Sequence, residues 1–114
     1  MKTAHFLIPD ITTSQDLSAA ALSYTTTLDK AFKLEQIQFR FSQAVTETIT
    51  ITLDSAKGAS YDIVLRVKDL VAEQNYVFRP EGEDNYQKGD QIKIQCTNAN
   101  GVGTIYGKLK TSEM

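Results

Sequence analysis

"TITITLDSAKGASYDIVLRV", residues 48–67, is two alternating runs joined by a polar turn. Ile49, Ile51 and Leu53 alternate with Thr48, Thr50 and Thr52. Tyr61, Ile63, Leu65 and Val67 alternate with Asp62, Val64 and Arg66. Successive side chains of a strand point to opposite faces, so each run predicts a strand with one buried and one wet face. Between them, Asp54-Ser55-Ala56-Lys57-Gly58 is a turn, with Gly58 available for positive φ.

The same period extends in both directions. Upstream, Leu22, Tyr24, Thr26 and Leu28 share a face, opposite Ser23, Thr25 and Thr27. Phe32 and Leu34 then share one phase, and Ile37, Phe39 and Phe41 share the other. A period-2 strand buries both sets only with one extra residue between them, which predicts a bulge near Glu35-Gln36. Downstream, residues 76–79 form a short strand stopped by Pro80, and 81–85 form a loop. Lys88-Gly89-Asp90 turns into a strand that points Ile92, Ile94 and Cys96 one way. Asn98-Ala99-Asn100-Gly101 turns into a last strand at 102–110. Only residues 69–74 could form a helical turn.

Seven to eight short strands at regular spacing predict an all-β fold, an antiparallel β-sandwich of jelly-roll-like kind. An immunoglobulin-like sandwich is the alternative. Residues 18–114 make a single β-sandwich domain, and residues 1–17 read as an N-terminal arm. Within the arm, Pro9-Asp10 and Thr12-Thr13-Ser14-Gln15 read as turn or irregular chain, with a short strand conceivable at 4–8.

Composition narrows the function. The chain has 114 residues, 41% of them hydrophobic, enough for one core. Twelve basic and 14 acidic side chains leave a formal charge of -2, which gives no footprint for nucleic acid and no basic membrane face. No apolar run approaches the roughly 20 residues that span a bilayer. The apolar patch near Met1 is cut by His5 and is too short for a secretion signal. One cysteine excludes an internal disulfide and suits a reducing site of synthesis.

Candidate chemistry is sparse. His5 is the one histidine, and it lies in the arm without a scaffold to hold it for catalysis. Cys96 is in phase with Ile92 and Ile94, which reads as core. One His and one Cys do not make a zinc site. Glu81, Glu83 and Asp84 match no calcium-loop spacing and read as a solvated loop. Gly101-Val102-Gly103 lacks the strand-to-helix context and the lysine of a phosphate loop. Lys88-Gly89-Asp90 is explained by its turn. We therefore expect no enzyme, no catalytic residue, no metal and no cofactor. What remains is surface. Thr46, Thr48, Thr50 and Thr52 form a comb on one strand face, either solvated or meeting another subunit. Gly103 and Gly107 lighten the last strand, where something approaches its backbone closely.

"AFKLEQIQFRFSQAVTETITITLDSAKGASYDIVLRV" (31–67), a short aromatic strand, and "KGDQIKIQCTNANGVGTIYGKLK" (88–110) together resemble the small all-β virion proteins of tailed bacteriophages encoded among head genes. The matching residues are Thr50-Ile51-Thr52-Leu53-Asp54-Ser55, Tyr61-Asp62 and Gly89-Asp90-Gln91-Ile92-Lys93-Ile94. The resemblance covers roughly residues 30–110 and omits the arm. It implies a structural virion protein of the capsid-decoration or head-stabilising type, made in the host cytoplasm and carried on the capsid surface. Its partner would be the major capsid protein or another virion protein, and it would be a homo-oligomer. On that reading the arm, with His5, Phe6, Leu7, Ile8 and Pro9, is the candidate for capsid attachment. Thr46, Thr48, Thr50, Thr52, Gly103 and Gly107 are candidates for subunit contacts. The alternative is a carbohydrate- or receptor-binding module of a phage fibre or host-surface protein. Its candidates would be Tyr76, Tyr86 and the acidic loop 81–84.

Overall fold

Nine strands carry the chain in a computed structural model that describes residues 10–27, 30–80 and 85–113. They are β1 (Ile11–Asp16), β2 (Leu22–Thr27), β3 (Phe32–Val45), β4 (Thr48–Asp54), β5 (Ile63–Asp69), β6 (Glu73–Phe78), β7 (Asn85–Tyr86), β8 (Gln91–Cys96) and β9 (Thr104–Glu113). The first sheet has the order β1-β9-β3-β6, with the short β7 also paired to β3. The second has the order β2-β8-β4-β5.

The pairings define the topology. β1 pairs β9, β2 pairs β8, β3 pairs β6 and β4 pairs β5, all antiparallel. The chain doubles back as one long hairpin, rolled so that successive pairs fall in alternate sheets. This is the jelly roll. An immunoglobulin fold instead keeps its first two strands side by side in one sheet, whereas here β1 and β2 lie in different sheets.

The pleat explains the core. Phe32, Leu34, Ile37, Phe39 and Phe41 of β3 are all buried, as are Ile105 and Leu109 of β9. Across the sandwich they meet Ile49 and Ile51 of β4 and Ile92, Ile94 and Cys96 of β8 in one cluster. The register of β3 on β9 shifts between Leu34 and Gln36, so Glu35 is the extra residue. That bulge lets both apolar phases of β3 face inward.

Three expectations are corrected. Thr12–Gln15, read as turn or irregular chain, belong to β1, in register from Ile11 opposite Leu109 to Asp16 opposite Thr104. Hydrogen bonds to the outer side of β9, not apolar patterning, make this segment a strand. Residues 1–9 of the expected arm lie outside the described residues. Second, residues 69–74 form no helical turn: β5 ends at Asp69, β6 begins at Glu73, and Ala72 takes φ 52 in the tight connection. Third, β5 does not bury an apolar face. Its register on β4 shifts between Ile51 and Thr52, with Leu65 extra. The bulge reverses the phase, so Arg66 and Lys68 share the inward face with Ile51 and Ile49. The Arg66 guanidinium lies 5.8 Å from the Phe78 ring centre and the Lys68 ammonium 5.9 Å from that of Tyr76. Their stems close the open side of the sandwich. Val64 and Val67 face out, each 57% exposed.

Two buried carboxylates tie the loops down. Asp90 Oδ1 accepts from the Ala56 N–H (2.9 Å) and Oδ2 from the Gln87 N–H (2.9 Å), joining the β4–β5 loop to the turn before β8. At the other end, Glu47 Oε1 accepts from Thr97 Oγ1 (2.7 Å) and the Ala99 N–H (2.8 Å), and Oε2 from the Asn100 N–H (2.9 Å).

Candidate functional site

The two sheets present two different outer faces. On the second sheet, cross-strand partners line up as Ser23, Gln95, Thr50 and Val67, and beside them Thr25, Lys93, Thr52 and Val64. Lys93 is the one charge in these two rows. The result is a β-branched central strip that ends in the exposed valines of β5, flanked by Asp69 opposite Thr48 and Asp54 opposite Gln91.

The threonine comb divides on this face. Thr46 precedes β4, and its Oγ1 accepts from the Ala72 N–H (3.1 Å). Thr48 donates from Oγ1 to Asp69 Oδ1 (2.8 Å). These two hold the β5–β6 connection. Thr50 and Thr52 are half-buried, and no side-chain hydrogen bond engages them among the described residues.

The glycines are explained within the chain. Gly103 adopts φ 78, a left-handed conformation that favours glycine, and its carbonyl accepts from the Leu17 N–H (2.9 Å). Gly107 is buried in the central strand β9. A Cβ there would stand 3.2 Å from Thr13 Cγ2, so the close approach is made by β1 of the same chain.

Of the aromatic candidates for a glycan site, Tyr86 belongs to the core and Tyr76 packs against it. Tyr86 is 5% exposed, with its ring 5.3 Å from that of Phe32. Tyr76 is half-buried and stacks on Phe39 at 6.1 Å. His5, Phe6, Leu7, Ile8, Pro9 and the acidic loop 81–84 lie outside the described residues.

The first sheet carries an open trough of about 800 Å³ on its outer face, in the size range of ligand sites. One row of its floor is Ser14, Tyr106, Arg40 and Asn75. The next is Thr12, Lys108, Gln38 and Val77. Sequence reasoning missed this trough because its residues come from four strands distant in the chain. The only hint was a polar outward phase on strands with apolar inward positions.

Cys96 is a buried free thiol. Desolvation, and secondly the Glu47 charge, push its pKa from 9.0 up to about 12. A neutral thiol is not a nucleophile, so iodoacetamide at pH 8 is expected to label Cys96 only in denaturant, as mass spectrometry would report. Above pH 9.0 the unfolded thiol ionises while the folded one keeps its proton, so stability falls as pH rises toward 12. Cys96→Ala should show less of that alkaline decline.

Among the described residues no cluster of His, Cys, Asp or Glu is placed to hold a metal ion. No protein-family model matches the chain, and no curated protein matches its sequence. Solved structures with a similar outline include the NLP core of Drosophila, whose structure bears on pentamer formation and histone binding. It is 12% identical with a TM-score of 0.45, covering 90% of this chain and 96% of that one. A serine protease of Aeromonas sobria is 17% identical, TM-score 0.41, over 97% of this chain and 26% of the protease. A protein of infectious bursal disease virus, Gx strain, is 12% identical, TM-score 0.34, over 96% of this chain and 30% of that one.

Proposed function

We propose that this chain is a non-enzymatic structural protein of a tailed-bacteriophage virion, a homo-oligomer that decorates or stabilises the capsid surface. The observation that carries this reading is the outer face of the second sheet. It is β-branched, Lys93 is the one charge of its two central rows, and Val64 and Val67 along its rim are each more than half exposed. A contiguous apolar rim of this kind marks a protein contact. The inward cations Arg66 and Lys68 guard the β5 edge against strand pairing, so subunits meet face to face. The likeness of residues 30–110 to small phage head proteins supplies the virion. Attachment to the major capsid protein falls to residues 5–9, which precede β1. Weak contacts repeated over a lattice then sum to firm binding.

The test is sedimentation, alone and with capsid shells of the phage that encodes the protein. The full chain should sediment as an oligomer and bind shells at a fixed ratio. Val67→Glu should give a folded monomer. A chain lacking residues 1–9, which keeps β1, should lose shell binding. If Val67→Glu sediments as wild type, the face is not the interface. If the full chain ignores shells, the capsid reading falls.

A further inference from the structure

From the trough on the first sheet we infer a second, separate binding site, for an acidic oligosaccharide. It goes beyond the virion reading and stands without it. Three features carry it. First, the floor is rich in hydrogen-bonding groups with no partner in the chain: among the described residues the side chains of Gln38, Asn75, Thr12 and Ser14 make no hydrogen bond to protein. Amides and hydroxyls both donate and accept, which is what sugar hydroxyls require. Second, Tyr106 stands half exposed in the trough. Its ring offers an apolar plane for the C–H face of a sugar, with a phenol at the tip. Third, the trough's two charges are both positive. Arg40 sits cross-strand from Tyr106 and has no acidic partner among the described residues. Lys108 has only a long contact, 3.7 Å, to the exposed Asp10. A guanidinium beside an aromatic plane matches a uronate carboxylate or a sulfate in two-point fashion.

The backbone argues against a peptide. An extended peptide adds to a sheet edge, where free N–H and C=O groups await it. Here β9 and β3 form the centre of the floor, and their backbone groups are committed to neighbours on both sides. Only side chains face the ligand. Two cations in a chain of net charge -2 are also too few for a nucleic-acid track.

The experiment titrates the full chain with hexasaccharides of galacturonate, heparin and polysialic acid, beside neutral cellohexaose and a hexaglutamate peptide. At least one acidic saccharide should bind. Arg40→Gln and Tyr106→Ala, both exposed positions, should each weaken it by about tenfold or more without changing the melting temperature. Lys57→Gln removes an equal charge from the exposed β4–β5 loop, outside the trough, and should change affinity by less than about twofold. The proposal is overturned if no acidic saccharide binds, or if cellohexaose binds as well. It also fails if Lys57→Gln is as damaging as Arg40→Gln, because the attraction is then general charge. Equal binding of hexaglutamate would replace the saccharide with an acidic peptide.

Discussion

Deletion of Glu35 is expected to abolish cooperative folding, while Glu35→Ala is expected to be mild. The deletion removes the bulge, so β3 must turn one of its two apolar sets outward. Exposing Phe32 and Leu34 forfeits roughly 1.5–3 kcal/mol for each side chain. It also breaks the packing of Phe32 on Tyr86. Exposing Ile37, Phe39 and Phe41 costs more. Either loss is a large part of the roughly 5–15 kcal/mol that holds a domain together. Glu35→Ala keeps the extra residue and loses only the hydrogen bond that Ser112 Oγ donates to Glu35 Oε2 (2.7 Å), about 1 kcal/mol. Urea unfolding of the two variants makes the comparison. Equal midpoints would show that the bulge does not set the phase of the core.

Glu47→Ala carries the second large effect. The carboxylate is 3% exposed and no cation pairs with it among the described residues. Three donors converge on it: Thr97 Oγ1 and the N–H groups of Ala99 and Asn100. Its removal leaves those donors without an acceptor in a partly buried loop. The expected loss is about 3 kcal/mol, a fall of roughly 10 °C in melting temperature. Glu47→Gln keeps the shape and should lose less. It also removes the smaller of the two causes that raise the Cys96 pKa, so the thiol should titrate somewhat lower in that variant. A wild-type melting curve for Glu47→Ala would mean that water satisfies the loop.

The two bulges show what patterning can and cannot carry. At Glu35 the apolar residues change phase, from Phe32 and Leu34 to Ile37, Phe39 and Phe41, so the extra residue is visible in the sequence. At Leu65 the run Ile63-Val64-Leu65-Arg66-Val67 is apolar in both phases. No periodicity marks the break, and the alternation read from it carries Val67 to the wrong face, although Leu65 packs against the core as read. β1 escapes for a related reason. Thr12–Gln15 hold no apolar alternation, and only the free side of β9 makes them a strand. The trough was illegible because it joins outward residues of β1, β3, β6 and β9. Tyr76 and Tyr86 were visible as aromatics, but only the structure shows that Tyr86 is buried against Phe32 and that Tyr76 stacks half-buried on Phe39.

Local matters were legible from the residues alone: strands rather than helices, the turn at residues 54–58, the bulge in β3 and the apolar direction of Ile92, Ile94 and Cys96. These follow from side-chain alternation, which is a property of neighbours in the chain. The roll of these strands into a jelly roll emerges in three dimensions. The same packing placed Arg66 and Lys68 inward, set the threonines beside exposed valines, and gathered Arg40 and Tyr106 on one floor. Those outcomes depend on strand pairing across tens of residues, and pairing is chosen by how the two faces of each strand are buried together.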